Sequence, residues 1–396
     1  MREKADADYL SCYAGVIENN YIYTVDRFYG ALMEYNKETF SYRILTWIDC
    51  INPGNLGFCV RKMIKDGDDF YFFLENSRDI LIWSQTKQSF RIYGNENRYN
   101  QNAVVVSNAF LIQRDIWIYP GYSNQPLRCF HVETGEIEEY PSMEQKLAKE
   151  KIALEQSQFV LGTVQNETLW FVIYNTPYLI SFDTVSHEWT VYSFGKEELL
   201  CNICYDGRDM WICFIYKNTF INWSPEYGVT DTYQISDSGL NMGIGDPFNF
   251  IYGFGDRIFT IPMYDNPIYM IDKKTKEEHL LVSFDKDCHT NTRKFLPLFY
   301  TYVVDGNQLI LLPHIVNVFV KINMDTCQVQ LIDTKKKEAD REHYLDICLK
   351  SGCVMESVNF SLEGYLDYLK SNDIDYEEQK ETYSRGKAIF HNTKKL

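Results

Sequence analysis

The feature of this sequence that most restricts its fold is a sevenfold repeat of two markers. An apolar or aromatic residue stands directly before a small polar turn, and successive copies are 41 to 52 residues apart. A second large apolar residue precedes each copy by 11 to 13 residues. The turn markers are Tyr35, Trp83, Phe130, Phe182, Trp223, Ile271 and Ile322, and their partners are Tyr23, Phe72, Trp117, Trp170, Trp211, Phe259 and Ile310. A period of this length indicates a repeat architecture.

Each repeat also divides into four short strands. In the fourth repeat the apolar segments are 159–164, 169–174, 178–182 and 189–194, and turn-forming residues such as Asn166 and Pro177 separate them. Four antiparallel strands in about 45 residues describe a β-propeller blade. A β-solenoid is the alternative, but its rungs are usually shorter than ~40 residues. The sequence therefore predicts an all-β fold, a seven-bladed β-propeller over residues 1–334.

The polar turn carries a motif of its own. In four repeats it reads Asp or Asn, two residues, then Thr or Ser, as in Asp183–Ser186, whereas the third repeat has His131 in the first position. The run from Trp170 through Phe182-Asp183-x-x-Ser186 to Trp189 resembles the late-blade pattern of kelch-like propellers, the group that includes the central domain of galactose oxidase. The resemblance covers residues 12 to about 334 and implies the propeller fold. It is one of layout and turn motif, because the chain lacks the Gly-Gly doublet of kelch repeats and the Gly-His and Trp-Asp pairs of WD40 blades.

Two segments lie outside the repeats. Residues 142–156 are rich in strong helix formers and contain no Gly or Pro, which predicts an inserted surface helix. The β pattern stops after residue 334, and 335–396 is expected to be a helical C-terminal extension. Its helices are predicted at 341–350, after Ser361 as N-cap, and at 375–390. We expect the extension to pack on the propeller or to bind a partner.

Charge excludes two classes of partner. The chain has 39 basic and 55 acidic residues, a net charge of −16, so it is expected to bind neither nucleic acid nor anionic membranes. The first residues show no signal peptide, and the apolar stretch 309–320 is too short to span a bilayer. We therefore expect a soluble cytoplasmic protein. Its oligomeric state and pathway are not predicted.

The cysteines predict neither disulfides nor a metal site. Their number is odd, eleven, and they are scattered, which is typical of reduced buried thiols. Cys201 and Cys204 form the one close pair, but a structural zinc site needs four ligands. Residues three apart on a strand are expected to point to opposite faces. No histidines show the HxH or HExxH spacing, so no metal and no cofactor are predicted.

Candidate ligand contacts lie in the loops between second and third strands. Because strands alternate in direction, these loops share one face with the connections between blades. They repeat a Tyr and an Asn: Tyr122, Asn124, Tyr174, Asn175, Tyr216, Asn218, Tyr264 and Asn266. These residues either form a ring that stacks on and hydrogen-bonds a ligand, or serve the blades, with Asn closing a turn and Tyr packing.

Residues specific to single blades add a second set of candidates on the same face: Asp26, Arg27, Arg78 and His314. A closed ring sets the first and seventh blades side by side, so His314 is expected to approach Asp26 and Arg27. A His beside a carboxylate can act as a general base or metal ligand; the alternative is a loop histidine bonded to backbone or water.

Two functions remain open. The first is a non-catalytic recognition or scaffold propeller that binds a protein, peptide or glycan on one face. The alternative is a propeller enzyme acting on a carbohydrate or another small polar substrate at the axis. No catalytic residue is predicted, because local catalytic motifs are missing. The candidate site is the axial end lined by Arg27, Arg78, Tyr122, Tyr174, Tyr264 and His314.

Overall fold

The protein is a closed ring of seven antiparallel sheets. The structure, a computed structural model, describes residues 8–48, 60–75, 77–94, 104–236, 240, 247–284, 288 and 297–351. Each sheet consists of four strands that are consecutive in the chain. The first strand of each blade lies innermost, next to the first strands of its neighbours. The predicted seven-bladed β-propeller is therefore confirmed.

The blades follow one another around the ring in chain order. Blade 1 consists of β1 (Gly15–Glu18), β2 (Tyr21–Asp26), β3 (Ala31–Asn36) and β4 (Tyr42–Trp47), and blade 2 of β5 (Val60–Asp66), β6 (Asp69–Leu74), β7 (Ile80–Ser84) and β8 (Ser89–Tyr93). Blade 3 consists of β9 (Val106–Ile112), β10 (Asp115–Pro120), β11 (Leu127–His131) and β12 (Ile137–Tyr140), and blade 4 of β13 (Val160–Gln165), β14 (Thr168–Ile173), β15 (Tyr178–Asp183) and β16 (Trp189–Ser193).

The second half of the ring repeats this order. Blade 5 consists of β17 (Leu200–Tyr205), β18 (Met210–Phe214), β19 (Thr219–Ser224) and β20 (Gly228–Gln234). Blade 6 consists of β21 (Phe248–Phe254), β22 (Arg257–Pro262), β23 (Ile268–Asp272) and β24 (Glu278–Val282). Blade 7 consists of β25 (Phe299–Asp305), β26 (Gln308–Pro313), β27 (Val318–Asn323) and β28 (Val329–Asp333).

The core is divided among the seven interfaces between neighbouring blades, each of which holds one apolar cluster. The sequence markers on the second strands supply its largest side chains. Trp117 contacts Phe182 of the next blade, with ring centroids 5.4 Å apart, and Trp170 contacts Trp223 at 5.5 Å. Trp211 is fully buried in the interface that follows. These three markers therefore lie between blades.

The polar turn motif closes the hairpin between third and fourth strands. A side-chain oxygen at the end of the third strand accepts the backbone N–H three residues later, which caps the turn. This bond forms at six turns: Asn36 with Thr39, Ser84 with Lys87, Asp183 with Ser186, Ser224 with Tyr227, Asp272 with Thr275, and Asn323 with Thr326. The polar residue that ends the third strand is thus a structural part of these six hairpins.

Among the described strands, none is exchanged between the first and last blades to close the ring. Instead, the segment before β1 runs beside the end of blade 7 and hydrogen-bonds to it. Cys12 N donates to Pro313 O at 3.0 Å, and Leu10 N donates to Thr334 O at 3.2 Å. Lys336 N then donates to Asp8 O at 2.9 Å. The two ends of the propeller are therefore joined by backbone as well as by apolar packing.

Five innermost strands carry a β-bulge near their first residue. The residues left out of the pairing are Arg61, Ser107, Cys201, Asn249 and Tyr300. A bulge turns a side chain out of the regular alternation. The expectation that Cys201 and Cys204 point to opposite faces is wrong for this reason, since both thiols pack in the same apolar cluster between blades 5 and 6.

The structure describes two helices. The first, α1 (Met143–Lys149), begins at Ser142 with a capping box to Gln145 and buries two apolar side chains between blades 3 and 4; it covers only the first half of the predicted segment 142–156. The second, α2 (Glu338–Ser351), covers the first predicted helix of the extension. The helices predicted after Ser361 and at 375–390 lie outside the described residues. Neither described helix is long and apolar enough to cross a membrane.

The start of α2 is attached to blade 1. Tyr344 stacks on Tyr29 with ring centroids 4.3 Å apart, and Tyr42 donates its hydroxyl to Asp340 at 2.7 Å. His343 lies edge-on to Trp47, at 4.9 Å. The beginning of the extension therefore packs on the propeller.

Candidate ligand-binding site

The strongest candidate site lies where blades 1, 2 and 7 meet. We call it the seam site and define it by Tyr13, Arg27, Arg61, Tyr300 and His314. Tyr13 precedes β1, and Arg61 and Tyr300 are the bulged residues of β5 and β25. Arg27 and His314 lie in the loops after β2 and β26. All five belong to the face formed by these loops and by the connections between blades, hereafter the loop face.

Tyr13 is the centre of the seam site. Its ring centroid lies 4.3 Å from that of Tyr300 and 4.5 Å from that of His314. The guanidinium carbons of Arg27 and Arg61 lie 5.4 and 5.5 Å from the same centroid. Arg61 also lies 4.9 Å from the Tyr300 ring. These distances are within the range of cation–π attraction, so two cations are held against an aromatic platform.

His314 forms the buried floor of this platform. Its ring is 1% exposed, and its Nδ1 lies 3.5 Å from Ser11 Oγ, which donates to the His314 carbonyl at 2.7 Å. Within the described part of the chain, its Nε2 has no hydrogen-bond partner. Burial, together with the positive charges of Arg27 and Arg61, holds the pKa of His314 well below its usual value. The imidazole is therefore neutral at pH 7.

Asp26 is close to this histidine but is used for structure. Its Oδ1 accepts the backbone N–H of Phe28 and Tyr29, at 3.0 and 2.6 Å. Its Oδ2 accepts the N–H of Ser11 at 3.2 Å and pairs with Lys336 Nζ at 2.9 Å. Ser11 thus connects His314 with Asp26, because its N–H donates to Asp26 and its hydroxyl contacts His314. Asp26 itself makes no described hydrogen bond to the imidazole.

The predicted tyrosines of the loop face are not equivalent. Tyr216 is 67% exposed, and Tyr122 is half-buried with its ring 4.5 Å from that of Phe159. Tyr174 is half-buried beside the cluster between blades 5 and 6. Tyr264 is 2% exposed, so its side chain is almost completely hidden from solvent. The predicted ring is therefore broken at blade 6.

The predicted asparagines mostly serve their own loops. Asn218 donates to Ile235 O, and Asn266, which is buried, donates to Pro247 O at 3.2 Å. Asn175 has a φ of 61°, the left-handed conformation that Asn tolerates in tight turns. Asn124 is exposed. Asn175, Asn218 and Asn266 therefore stabilise turns, which is the structural alternative to ligand binding.

Arg78 lies apart from the other predicted arginine. It forms an ion pair with Glu139 of blade 3, and both side chains are half-exposed. The sequence candidates that the structure brings together are therefore Asp26, Arg27 and His314.

Sequence reasoning missed Tyr13, Arg61 and Tyr300. Tyr13 lies two residues before β1, and Arg61 and Tyr300 are the second residues of β5 and β25, all on the loop face. The connections between blades were the available signal, because they lie on that face by topology. The bulges that turn Arg61 and Tyr300 toward the seam have no signature in this sequence.

Comparison with known proteins identifies the fold and no family. No family model matches the chain. No curated protein matches its sequence. A streptogramin B lyase structure matches with a TM-score of 0.56 at 12% identity, over 82% of this chain and 94% of that chain. The WD40 repeats of RRP9 match with 0.51 at 12% identity, over 79% and 92%, and Kluyveromyces lactis Hsv2 with 0.51 at 8% identity, over 81% and 97%. At such identities the likeness shows the propeller fold alone.

Proposed function

We propose that this protein is a non-catalytic recognition propeller that binds an anionic group of a peptide, protein or glycan at the seam site. One observation carries the proposal: Arg27 and Arg61, from neighbouring blades, lie against the same tyrosine ring in a protein of net charge −16. An acidic protein repels anions over most of its surface. Two guanidinium groups on one aromatic platform oppose that field locally, and Glu75, 4.0 Å from Arg61, offsets part of their charge.

The chemistry of the seam site suits a carboxylate on a partly apolar ligand. An arginine presents a planar fork of donors that can bind a carboxylate with two parallel hydrogen bonds. The Tyr13 and Tyr300 rings offer stacking surface for a sugar or a side chain. The more exposed tyrosines of the loop face, Tyr122, Tyr174 and Tyr216, would contact the rest of a longer ligand.

The same residues argue against the enzyme alternative. A general base works best when its pKa is near the working pH, and His314 is a weak base because its pKa lies far below that range. Asp26, which could orient and strengthen it, is paired with Lys336 and three backbone N–H groups. Among the residues that the structure describes at the seam site, His314 and Asp26 therefore do not form an available acid–base couple.

Two finer assignments belong to the same proposal. Kelch-like ancestry rests on the turn motif of blade 4, in which Asp183 caps the hairpin at Ser186. A cytoplasmic location rests on the many free cysteines, several of them fully buried. Both are independent of the ligand.

The test is binding to peptide and glycan arrays that are graded in acidic content, followed by titration of the best binder. Arg27→Ala and Arg61→Ala should each weaken binding about tenfold or more, the worth of a charge-assisted hydrogen bond. The matched control is Arg114→Ala, which removes an exposed arginine paired with Glu133 on the opposite face. Its affinity should stay at the level of the unmodified protein.

Equal affinity of both folded seam variants and the unmodified protein would reject the seam site. Binding that does not weaken as salt is added would reject the anionic ligand. Turnover of a carbohydrate that is abolished by His314→Asn would reject the non-catalytic assignment in favour of the enzyme.

A further inference from the structure

A second cluster of side chains lies in the groove between blades 3 and 4, at the end opposite the loop face. Asp115 begins β10, Cys129 and His131 lie on β11, and Glu138 lies on β12. The pairing sets Asp115 opposite His131 and Cys129 opposite Glu138. All four side chains therefore lie on one face of the sheet. The ligating atoms of Asp115, Cys129 and His131 are all within 4.8 Å of one another.

Blade 3 differs from the other blades in the residue that ends its third strand. In blades 1, 4, 6 and 7 the last residue of the third strand is Asn or Asp, and its side chain caps the following turn. In blade 3 that residue is His131. Its Nδ1 lies 2.8 Å from Asp115 Oδ1 and its Nε2 3.7 Å from Glu138 Oε2. Gly135 N donates to His131 O at 2.8 Å, as the equivalent backbone bond does in the capped hairpins, so the turn of blade 3 keeps its backbone closure without a side-chain cap.

Cys129 gives the cluster a buried sulfur. Its side chain is fully buried in the apolar cluster between the two blades, whereas Asp115, His131 and Glu138 are each a third to a half exposed. The described contacts include no hydrogen bond and no disulfide for its Sγ. A thiol thus lies beneath a nitrogen and two carboxylates that open to solvent.

Neighbouring aromatic residues also fix the position of Glu138 in this cluster. Tyr140 donates its hydroxyl to Glu138 Oε2 at 2.7 Å, and its oxygen lies 3.4 Å from Nε2 of His187 on blade 4. The Trp117 ring packs beside Tyr140, with centroids 5.3 Å apart. Hydrogen bonds of this kind to a ligating carboxylate fix its orientation in metal sites.

We propose that Asp115, Cys129, His131 and Glu138 form a binding site for a divalent transition metal ion of the zinc class. Sulfur, imidazole nitrogen and carboxylate oxygen are the donors that zinc takes, usually four in number and tetrahedral. Bond lengths of about 2.0 to 2.3 Å place such donors roughly 3.3 to 3.8 Å apart. The ligating atoms of Asp115, Cys129 and His131, all within 4.8 Å of one another, need to approach by up to about 1 Å to reach that spacing. Glu138 faces Nε2 of His131 and must turn toward the ion to complete the set of four. On binding, the Cys129 thiol loses its proton to solvent and becomes the thiolate ligand.

Sequence spacing could not reveal this site, because its ligands come from three strands rather than from one local motif. The site is separate from the seam site, which lies on the loop face between other blades. It does not depend on the proposed recognition function.

Cobalt is the probe, since it replaces zinc and reports its own ligands. The full-length protein, freed of metal with a chelator, is titrated with Co²⁺ under reducing conditions. We expect saturation at one equivalent, a near-ultraviolet sulfur-to-cobalt charge-transfer band and intense visible bands of a tetrahedral ion. Cys129→Ser should remove the charge-transfer band, and His131→Asn should weaken binding at least about tenfold, as removal of a ligand requires. Added Zn²⁺ should displace the cobalt and bleach both sets of bands.

Cys204→Ser is the matched control, because it removes a buried thiol of the Cys201-x-x-Cys204 pair and should leave the spectrum unchanged. Loss of the bands in Cys204→Ser, or their survival in Cys129→Ser, overturns the proposal. So does the absence of a charge-transfer band in the unmodified protein at excess Co²⁺. If Cys129→Ser fails to fold, the test rests on His131→Asn. A cobalt affinity of His131→Asn equal to that of the unmodified protein then rejects the site.

Discussion

Lys336 and Asp26 form a buried ion pair that joins the end of the propeller to its first blade. Lys336 Nζ lies 2.9 Å from Asp26 Oδ2, and the side chains are 1% and 0% exposed. The ammonium also lies 3.8 Å from the Tyr29 ring. Each blade is built from consecutive strands, so in the part of the chain that the structure describes no exchanged strand closes the ring. The pair is therefore a specific interaction that joins the two ends of the propeller where the ring closes.

Lys336→Ala should lower the free energy of unfolding by about 3–5 kcal/mol, because it leaves the Asp26 carboxylate buried without its counter-charge. Urea denaturation followed by tryptophan fluorescence measures the change. The control, Lys276→Ala, removes a half-exposed pair with Asp231 and should cost about 1 kcal/mol or less. An equal loss of unfolding free energy in the two variants would show that the Lys336–Asp26 pair stabilises the closed ring no more than a surface ion pair does.

The neutral state of His314 should make stability depend on pH. Burial and two arginines depress its pKa in the folded protein, so below about pH 6.5 the unfolded chain binds more protons than the folded one. The free energy of unfolding should therefore fall as pH is lowered through about 6.5. His314→Asn should remove that part of the slope, and His279→Asn, at an exposed position, should not. Parallel pH profiles for His314→Asn and the unmodified protein would contradict the prediction.

Trp170→Ala should cost about 3–5 kcal/mol, because it removes a large buried ring from the interface with blade 5 and leaves a cavity. Tyr227→Ala is the control, since its side chain is 74% exposed and should change stability by less than about 0.5 kcal/mol. Denaturant midpoints with unchanged slopes report both values. A cost below about 1 kcal/mol for Trp170→Ala would mean that the interface is not closely packed.

Lys62 is a second group whose charge opposes folding. It lies on the innermost strand β5 with Nζ 5.1 Å from the Phe110 ring, and burial lowers its pKa to about 8. Between about pH 8 and pH 10.5 the unfolded chain therefore binds the extra proton, and stability should rise with pH across that window. Lys62→Met should raise the free energy of unfolding at pH 7 and flatten the slope. Lys149→Met, at an exposed position of α1, should do neither.

The blade count and register were predictable because the interactions that produce them are local. Trp170 lies on the second strand and Phe182 on the third strand of one hairpin. Their separation of 12 residues is therefore the remainder of the second strand, the loop and the third strand. Asp183 caps a turn only three residues long. Strand alternation and turn chemistry of this kind are written in short stretches of sequence.

The bulges and the seam site were decided by tertiary structure. Cys201 and Cys204 share a cluster because the inner strand bulges where it meets its neighbours, against the alternation that the sequence predicts. The order of the blades predicted that His314 approaches the first blade, but the residues that it contacts there, Ser11 by a hydrogen bond and Tyr13 by its ring, lie about 300 residues away in the chain and were not predicted.

By itself, then, the sequence determined the seven blades, their strands and the face on which the loops lie, since each follows from contacts within one hairpin. Only the closed ring decided that Tyr13, Arg61 and Tyr300 meet and that Asp26 is used by Lys336. The physical reason is that these contacts join residues far apart in the chain, from different blades or from the two ends of the propeller, and their geometry depends on how seven interfaces pack at once.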